Sequence, residues 1–327
     1  MFREGVEESD PEAGLAARAA WLSYIGGYRQ EDIAERLHVS RVKVNRLIAK
    51  AHRRGMVRVF VEGTAADCVA LEDELIRRFG LKFALVAPNL NGGDLPLATL
   101  GNAGSRFLHS VLEDAAGELT IGVGHGRTIG SVVDNLPRVS RPGARFVSLL
   151  GGLVRNAVAN PFDIIHRLSE RTGGESYFMP VPFVADSAAD MAVLTAQRSL
   201  RRVFALAREA ELCLVGIGDL GDDAFMRLSG MLSDAEFRSL RDAGAVGEVL
   251  GQYLDGEGRP LDVDVNRRSI GLKLDDLRGK QVVAIAGGPA KVPAVASVLR
   301  TGVVTGLVTD EGTARAIVAG EQRPGTG

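Results

Sequence analysis

The chain has 327 residues, 46% hydrophobic and 5% aromatic, with 40 glycines and a formal net charge of −2, enough for one small and one large domain with a sizeable core. Two cysteines 145 positions apart (Cys68 and Cys213) and five scattered histidines exclude a disulfide framework and a metal motif, so neither metal nor cofactor is expected. No run approaches the ~20 apolar residues of a membrane helix, and the acidic N-terminus is unlike a secretory leader, so a soluble, cytoplasmic protein is expected.

Charge is uneven along the chain. Residues 1–14 carry one arginine and five acids and read as a flexible end, whereas residues 15–62 carry ten Lys/Arg against four acids. A short basic segment in a neutral chain points to a polyanion site, with a solvated helix face as the alternative. Three helical patterns fill it. The first runs from Leu15 to Ile25 and is stopped by Gly26-Gly27; the second runs from Gln30 to Leu37 with Ile33, Ala34 and Leu37 inward. The third starts at Ser40, whose hydroxyl suits an N-cap, and buries Val44, Leu47, Ile48 and Ala51 at helical spacing. Its other face carries Arg41, Lys43, Asn45, Arg46 and Lys50, and Met56–Val61 then reads as a strand. Two short helices, a tight turn and a capped basic helix have the dimensions of a helix-turn-helix, whose second helix presents its first residues to base edges. Arginine suits guanine and asparagine adenine; Lys50, Arg53 and Arg54, further along, suit phosphates. Ser40, Arg41, Lys43, Asn45, Arg46 and Lys50 are therefore the candidate DNA-binding residues, and a three-helix interaction module is the alternative.

A helix over residues 63–80 is expected to join this segment to a larger domain over 81–320. There, apolar strands alternate with helical stretches: Phe83–Ala87, Leu119–Val123, Phe146–Leu150, Leu212–Ile217, Val282–Ala286 and Val303–Val308. Apolar runs of this length predict a parallel sheet covered by helices on both faces, an α/β fold of Rossmann-like type. Ligands of such sheets gather at the carboxyl ends of strands. Gly122-Val123-Gly124-His125-Gly126-Arg127-Thr128 joins a strand to a helix start and suits an anion, or is a tight structural turn. Gly216-Ile217-Gly218-Asp219 reads as an ordinary strand-to-helix turn. Asp255 and Asn266 are of the types that bind sugar hydroxyls, and both types are also common in loops. Lys291, after Gly287-Gly288, can hold a phosphate or attack a carbonyl, with an ordinary surface lysine as the alternative.

Together these segments resemble the SorC/DeoR group of sugar-binding transcriptional regulators, from about Leu15 to Val318. The matching stretches include Gln30–Leu37, Val44–Ile48, Gly122–Thr128, Val215–Gly218, Ala243–Gly247, Asp255–Arg259, Ala286–Lys291 and Leu307–Ala314. The resemblance implies an effector domain of sugar-phosphate-isomerase type, a tetramer built as a dimer of dimers, and operator binding controlled by a sugar, polyol or sugar phosphate. It places effector contacts at Gly124, Gly126, Arg127, Thr128, Asp255, Asn266 and Lys291. One position departs: His125 stands where many relatives carry tryptophan. A sugar-phosphate isomerase or deaminase on the same scaffold, with Asp255 and Lys291 as its reacting groups, is the alternative function.

Overall fold

The computed structural model describes residues 11–57, 66–89, 96–152 and 163–320. The chain divides into two compact units, Met1–Gly63 and Thr64–Gly327.

The first unit holds α1 (Pro11–Tyr24), α2 (Gln30–Leu37) and α3 (Arg41–Arg53). Its core is Ala16, Ala19, Ala20 and Leu22 of α1, Ile33 of α2, and Val44, Leu47 and Ala51 of α3. Small alanines let α1 lie close against α3, and the longer aliphatics fill the angle between α2 and α3. Ser40 caps α3 as its chemistry predicts, Oγ accepting from the Lys43 amide at 3.2 Å. The chain reverses between α2 and α3 at His38, which takes the left-handed conformation (φ 51°) and donates its amide to Glu35 O. α1 begins at Pro11, so residues 11–14, expected to fray, form its first turn. Of the strand expected over Met56–Val61, Met56 and Val57 are outside any strand, and the rest lies outside the described residues.

The second unit opens with α4 (Ala66–Phe79), β1 (Phe83–Ala87), α5 (Leu97–Asp114), β2 (Leu119–Val123), α6 (Arg127–Asn135), β3 (Ala144–Ser148), α7 (Asp163–Thr172) and β4 (Glu175–Tyr177). It continues through α8 (Ala188–Ala196), α9 (Arg198–Glu209), β5 (Leu212–Val215), α10 (Phe225–Leu228), α11 (Asp234–Asp242) and a hairpin of β6 (Gly247–Val249) and β7 (Gln252–Leu254). It ends with α12 (Asp264–Arg268), α13 (Leu274–Leu277), β8 (Gln281–Ile285), a 3-10 turn (Pro289–Lys291), α14 (Val292–Arg300), β9 (Gly306–Asp310) and α15 (Glu311–Gly320). Helix α4 packs Cys68, Leu71 and Leu75 into the core of the second unit.

Seven strands form one sheet in the order β1-β9-β8-β5-β2-β3-β4, every pair parallel. Alternation along the strands supplies two cores. Leu212 and Leu214 of β5 and Val283 and Ile285 of β8 face α5, α6 and α7. Cys213 and Val215, with Val282 and Ala284, face α4, α9, α14 and α15. From β2 the chain winds outward to β3 and β4; from β5 it winds the other way to β8 and β9. The order therefore reverses between β2 and β5, and their carboxyl ends flank a crevice.

One wall of that crevice is α6, and α6 is seated by glycine. A Cβ at Gly101 of α5 would overlap Ser131 Oγ of α6, and one at Gly104 would come within 2.6 Å of Val132 Cγ2. The helices touch backbone to side chain with no room between. Gly101→Val is expected to lower stability by about 1–3 kcal/mol through overpacking, read as a fall in thermal midpoint.

Candidate effector pocket and DNA-reading helix

In the first unit, α2, the turn at His38 and α3 place Arg41, Lys43, Asn45 and Arg46 on the exposed side of α3, opposite the buried stripe. Arg41 pairs with Glu31 of α2 at 2.9 Å, both largely exposed. Lys50 lies on the flank of the helix, its Nζ 2.5 Å from Glu12 Oε2 of α1. Lys43, Arg46, Lys50, Arg53 and Arg54 share a recess with Glu12, five cations around one carboxylate.

In the second unit, a cavity of about 40 Å³ opens at the crevice between β2 and β5. Its floor is His125–Thr128 after β2 and Gly216–Asp219 after β5; Leu150, Phe225, Met226, Leu250, Glu248 and Lys291 close it. Parallel pairing of Val123 with Leu214, extended by the Gly124 amide donating to Leu214 O at 2.8 Å, brings the two loops side by side. Gly126 has φ 121° and precedes α6, so the loop turns there in a conformation closed to other residues.

The chemistry of this cavity comes partly from residues the sequence did not single out. Glu248 sits on β6, and its backbone exchanges two 2.9 Å hydrogen bonds with Gly218 after β5. That bridge hooks the hairpin onto the sheet and turns a carboxylate into the crevice. A Cβ at position 218 would meet Glu248 Oε2, so any larger residue there makes this carboxylate shift. Glu248 is buried, and burial pushes its pKa up to about 7, against the Gly251 amide, which donates to Oε1 at 2.5 Å, and against Lys291. Lys291 Nζ donates to Ile217 O at 2.5 Å and lies 3.9 Å from Asp219 Oδ2, both side chains 13% exposed. Burial lowers the Lys291 pKa, opposed by Asp219. His125 is pushed down to about 4 by burial alone, so its ring is neutral, and its Nδ1 is buried without a hydrogen-bond partner among the described residues. Thr128 is buried at the start of α6, while Arg127 is exposed at the rim and donates to Asp223 O at 3.3 Å.

Of the seven expected effector residues, the structure brings Gly126, Arg127, Thr128 and Lys291 together on the cavity, with Gly124 directly behind them. Asp255 and Asn266 are not on it. Asp255 Oδ1 accepts from the Glu257 and Arg259 amides, each at 2.9 Å, and Oδ2 from Arg259 Nε at 2.9 Å, so its carboxylate closes its own turn. Asn266 Oδ1 accepts from the Tyr253 amide at 2.8 Å and Nδ2 donates to Tyr253 O at 2.9 Å and Leu261 O at 2.8 Å. Since Tyr253 pairs with Glu248 across the hairpin, Asn266 positions the wall that carries the acid. Conversely, Gly216-Ile217-Gly218-Asp219 is more than the ordinary turn expected of it, because Asp219 reaches Lys291 inside the cavity.

The sugar-binding domain family matches residues 64–319. Over 95% of this chain and 98% of its own length, the erythritol catabolism regulatory protein EryD of Brucella abortus (strain 2308) is 43% identical. The chain belongs to the SorC/DeoR family of sugar-binding transcriptional regulators. The transcriptional regulator LsrR of Enterobacter sp. (strain 638) is 35% identical over 94% of each chain. Among solved structures, the full-length sorbitol operon regulator SorC of Klebsiella pneumoniae superposes with a TM-score of 0.69 at 22% identity, over 94% of this chain and 100% of that one, which shows the fold. This family member is a sugar-responsive transcriptional regulator and not an enzyme. Among the described residues no helix is long and apolar enough to cross a membrane.

The buried titratable pair gives opposite pH signatures. Glu248 ionises near 4.5 when unfolded and near 7 when folded, so its contribution to stability is present below about 4.5 and lost as pH rises to 7. His125 falls from 6.5 unfolded to about 4 folded, so its contribution is present above 6.5 and lost as pH falls to 4. The two oppose each other across pH 4.5–6.5. Glu248→Gln is expected to unmask the histidine, so that the thermal midpoint rises with pH over this window more steeply than in the parent protein.

Proposed function

We propose that the cavity between the β2 and β5 loops binds a short polyol or sugar, or its phosphate, and that this occupancy controls the grip of α3 on operator DNA. The observation that carries the reading is the cluster at the winding reversal: Asp219, Glu248 and Lys291 with the Nδ1 of His125, which has no partner among the described residues, all lining one small space. Buried polar atoms are stable when each has a partner, and a polyhydroxylated ligand offers both donors and acceptors. Carboxylates accept from hydroxyls; Lys291 donates to an oxygen; Arg127 and the first turn of α6 suit a phosphate at the rim. The relative EryD, named for erythritol catabolism, makes erythritol and its phosphates the first compounds to test. In this reading Asp255 and Asn266 act through the hairpin rather than by touching the effector.

Lys291→Ala and Asp219→Asn are each expected to weaken effector binding about ten- to a hundredfold, since a buried ligand group left without its partner costs ~1–3 kcal/mol. Operator binding without effector should stay near the parent value. Titration calorimetry with erythritol and with erythritol phosphate separates the neutral from the phosphorylated ligand; unchanged affinity in both variants would place the pocket elsewhere.

For DNA, we infer that Arg46, with Asn45, Arg41 and Lys43, contacts base edges, while Lys50, Arg53 and Arg54 contact phosphates beside Ser40 and the first turn of α3. One such head makes few contacts, so the reading unit is at least a dimer, assembled as a dimer of dimers in the cytoplasm. Arg46→Ala should cost ~1–3 kcal/mol on the preferred site and relax preference at one base pair, whereas Lys50→Ala should weaken all sequences alike, after Lys50 leaves Glu12. Binding to a randomised operator library, with sedimentation of the complex, checks residue roles and stoichiometry together.

A further inference from the structure

Between Arg41 and Lys43 stands a valine that the basic pattern of α3 leaves unexplained. Val42 is 71% exposed, in a helix whose Val44, Leu47 and Ala51 are at most 1% exposed. At about 100° per residue, Val42 projects almost diametrically away from the centre of that buried stripe. Asn45 and Arg46, three and four positions on, lie beside it and are also exposed. The middle of the outward face of α3 is therefore apolar, and the polar and basic side chains surround it.

Nothing within its own helix explains the residue. An exposed valine lowers helix stability relative to alanine, because its branched side chain loses rotamer freedom, and Val42 is absent from the core of the first unit, both from its buried members and from the partly buried residues packed on them. What the position does have is location. It is the second residue of a helix capped by Ser40, and helical side chains lean towards the N-terminus. In a helix-turn-helix that end of the second helix points into the major groove. There the feature that an aliphatic side chain recognises is the C5-methyl group of thymine, which no other base carries.

We propose that Val42 is a specificity-determining residue that reads a thymine methyl in each half-site, at a base pair next to those contacted by Asn45 and Arg46. The inference rests on the reading of α3 as the DNA-contacting helix. It assigns to the face an apolar readout in addition to the polar one, so the operator requires a T·A pair at one position whose recognition uses no hydrogen bond from this residue.

The test uses the full-length protein and a duplex recovered by in vitro selection from a random library. Each thymine of a half-site is replaced singly by deoxyuridine, which removes the methyl group and leaves the Watson–Crick pairing intact. One replacement is expected to weaken parental binding about three- to tenfold, the worth of one to two buried methyl contacts. Val42→Ala should show the same loss on the thymine duplex, no further loss at that one deoxyuridine, and an undiminished thermal midpoint. Val42→Thr, which keeps one methyl, should fall between. A deoxyuridine scan whose pattern is the same for parent and Val42→Ala, or a parental scan that is flat, overturns the inference while leaving α3 as the reading helix. Failure to select any sequence overturns the DNA-reading assignment of α3 and this inference with it.

Discussion

The winding reversal between β2 and β5 is the constraint on which the rest of the large unit depends. Crossovers in a parallel sheet are right-handed, so a chain that winds outward in both directions covers opposite faces on its two sides. The division of the apolar residues follows from this. α5, α6 and α7 cover one face and α4, α9, α14 and α15 the other, and consecutive residues of β5 alternate between them. At the reversal the connections diverge. Two adjacent strands then end with their loops side by side, and side chains from distant parts of the sequence meet there.

What fills that place is governed by desolvation. Lys291, Asp219 and Glu248 are drawn from three separate segments into a space where each charge alone would be costly, and the first two lie near enough to compensate. Glu248 has weaker compensation, and burial moves its proton affinity into the neutral range. His125 resolves the same problem by remaining uncharged. Charge in the crevice thus follows from how far each group stands from a partner, and the backbone decides that distance: the Gly218 bridge fixes Glu248, and the Ile217 carbonyl fixes Lys291.

Much of this was legible in the sequence, where the signal is local. β1 and β2 run over the residues expected, and α3 starts at its predicted serine cap, because unbroken apolar runs and a capping hydroxyl act over a few residues. β3, β5, β8 and β9 fall within three residues of their expected starts, the largest shift being β9, whose run begins with Val303 and Val304 packing before the strand proper. β4 was not legible: Glu175, Ser176 and Tyr177 form a three-residue edge strand with no apolar run. The β6–β7 hairpin was hidden because Leu250 takes the left-handed turn position (φ 49°) where asparagine or glycine is the usual signal. Asp255 and Asn266 show a different limit. Residue type tells that a side chain will hydrogen-bond; only the fold tells whether its partner is a ligand or its own backbone. Glu248 gave no pattern at all, one acid among apolar neighbours, and its role exists only through pairing with Gly218, thirty positions away.

The hooked hairpin has a consequence for how this wall of the crevice tolerates change. Its attachment to the sheet is through main-chain atoms, and its interior is tied by Asn266 to main-chain atoms of Tyr253. The side chain of Glu248 is itself one more fastening, because its Oε1 accepts from the Gly251 amide in the turn of the hairpin at 2.5 Å. A substitution at position 248 therefore changes the crevice wall and the turn behind it together, while the main-chain bridge to Gly218 still ties the strand to the sheet.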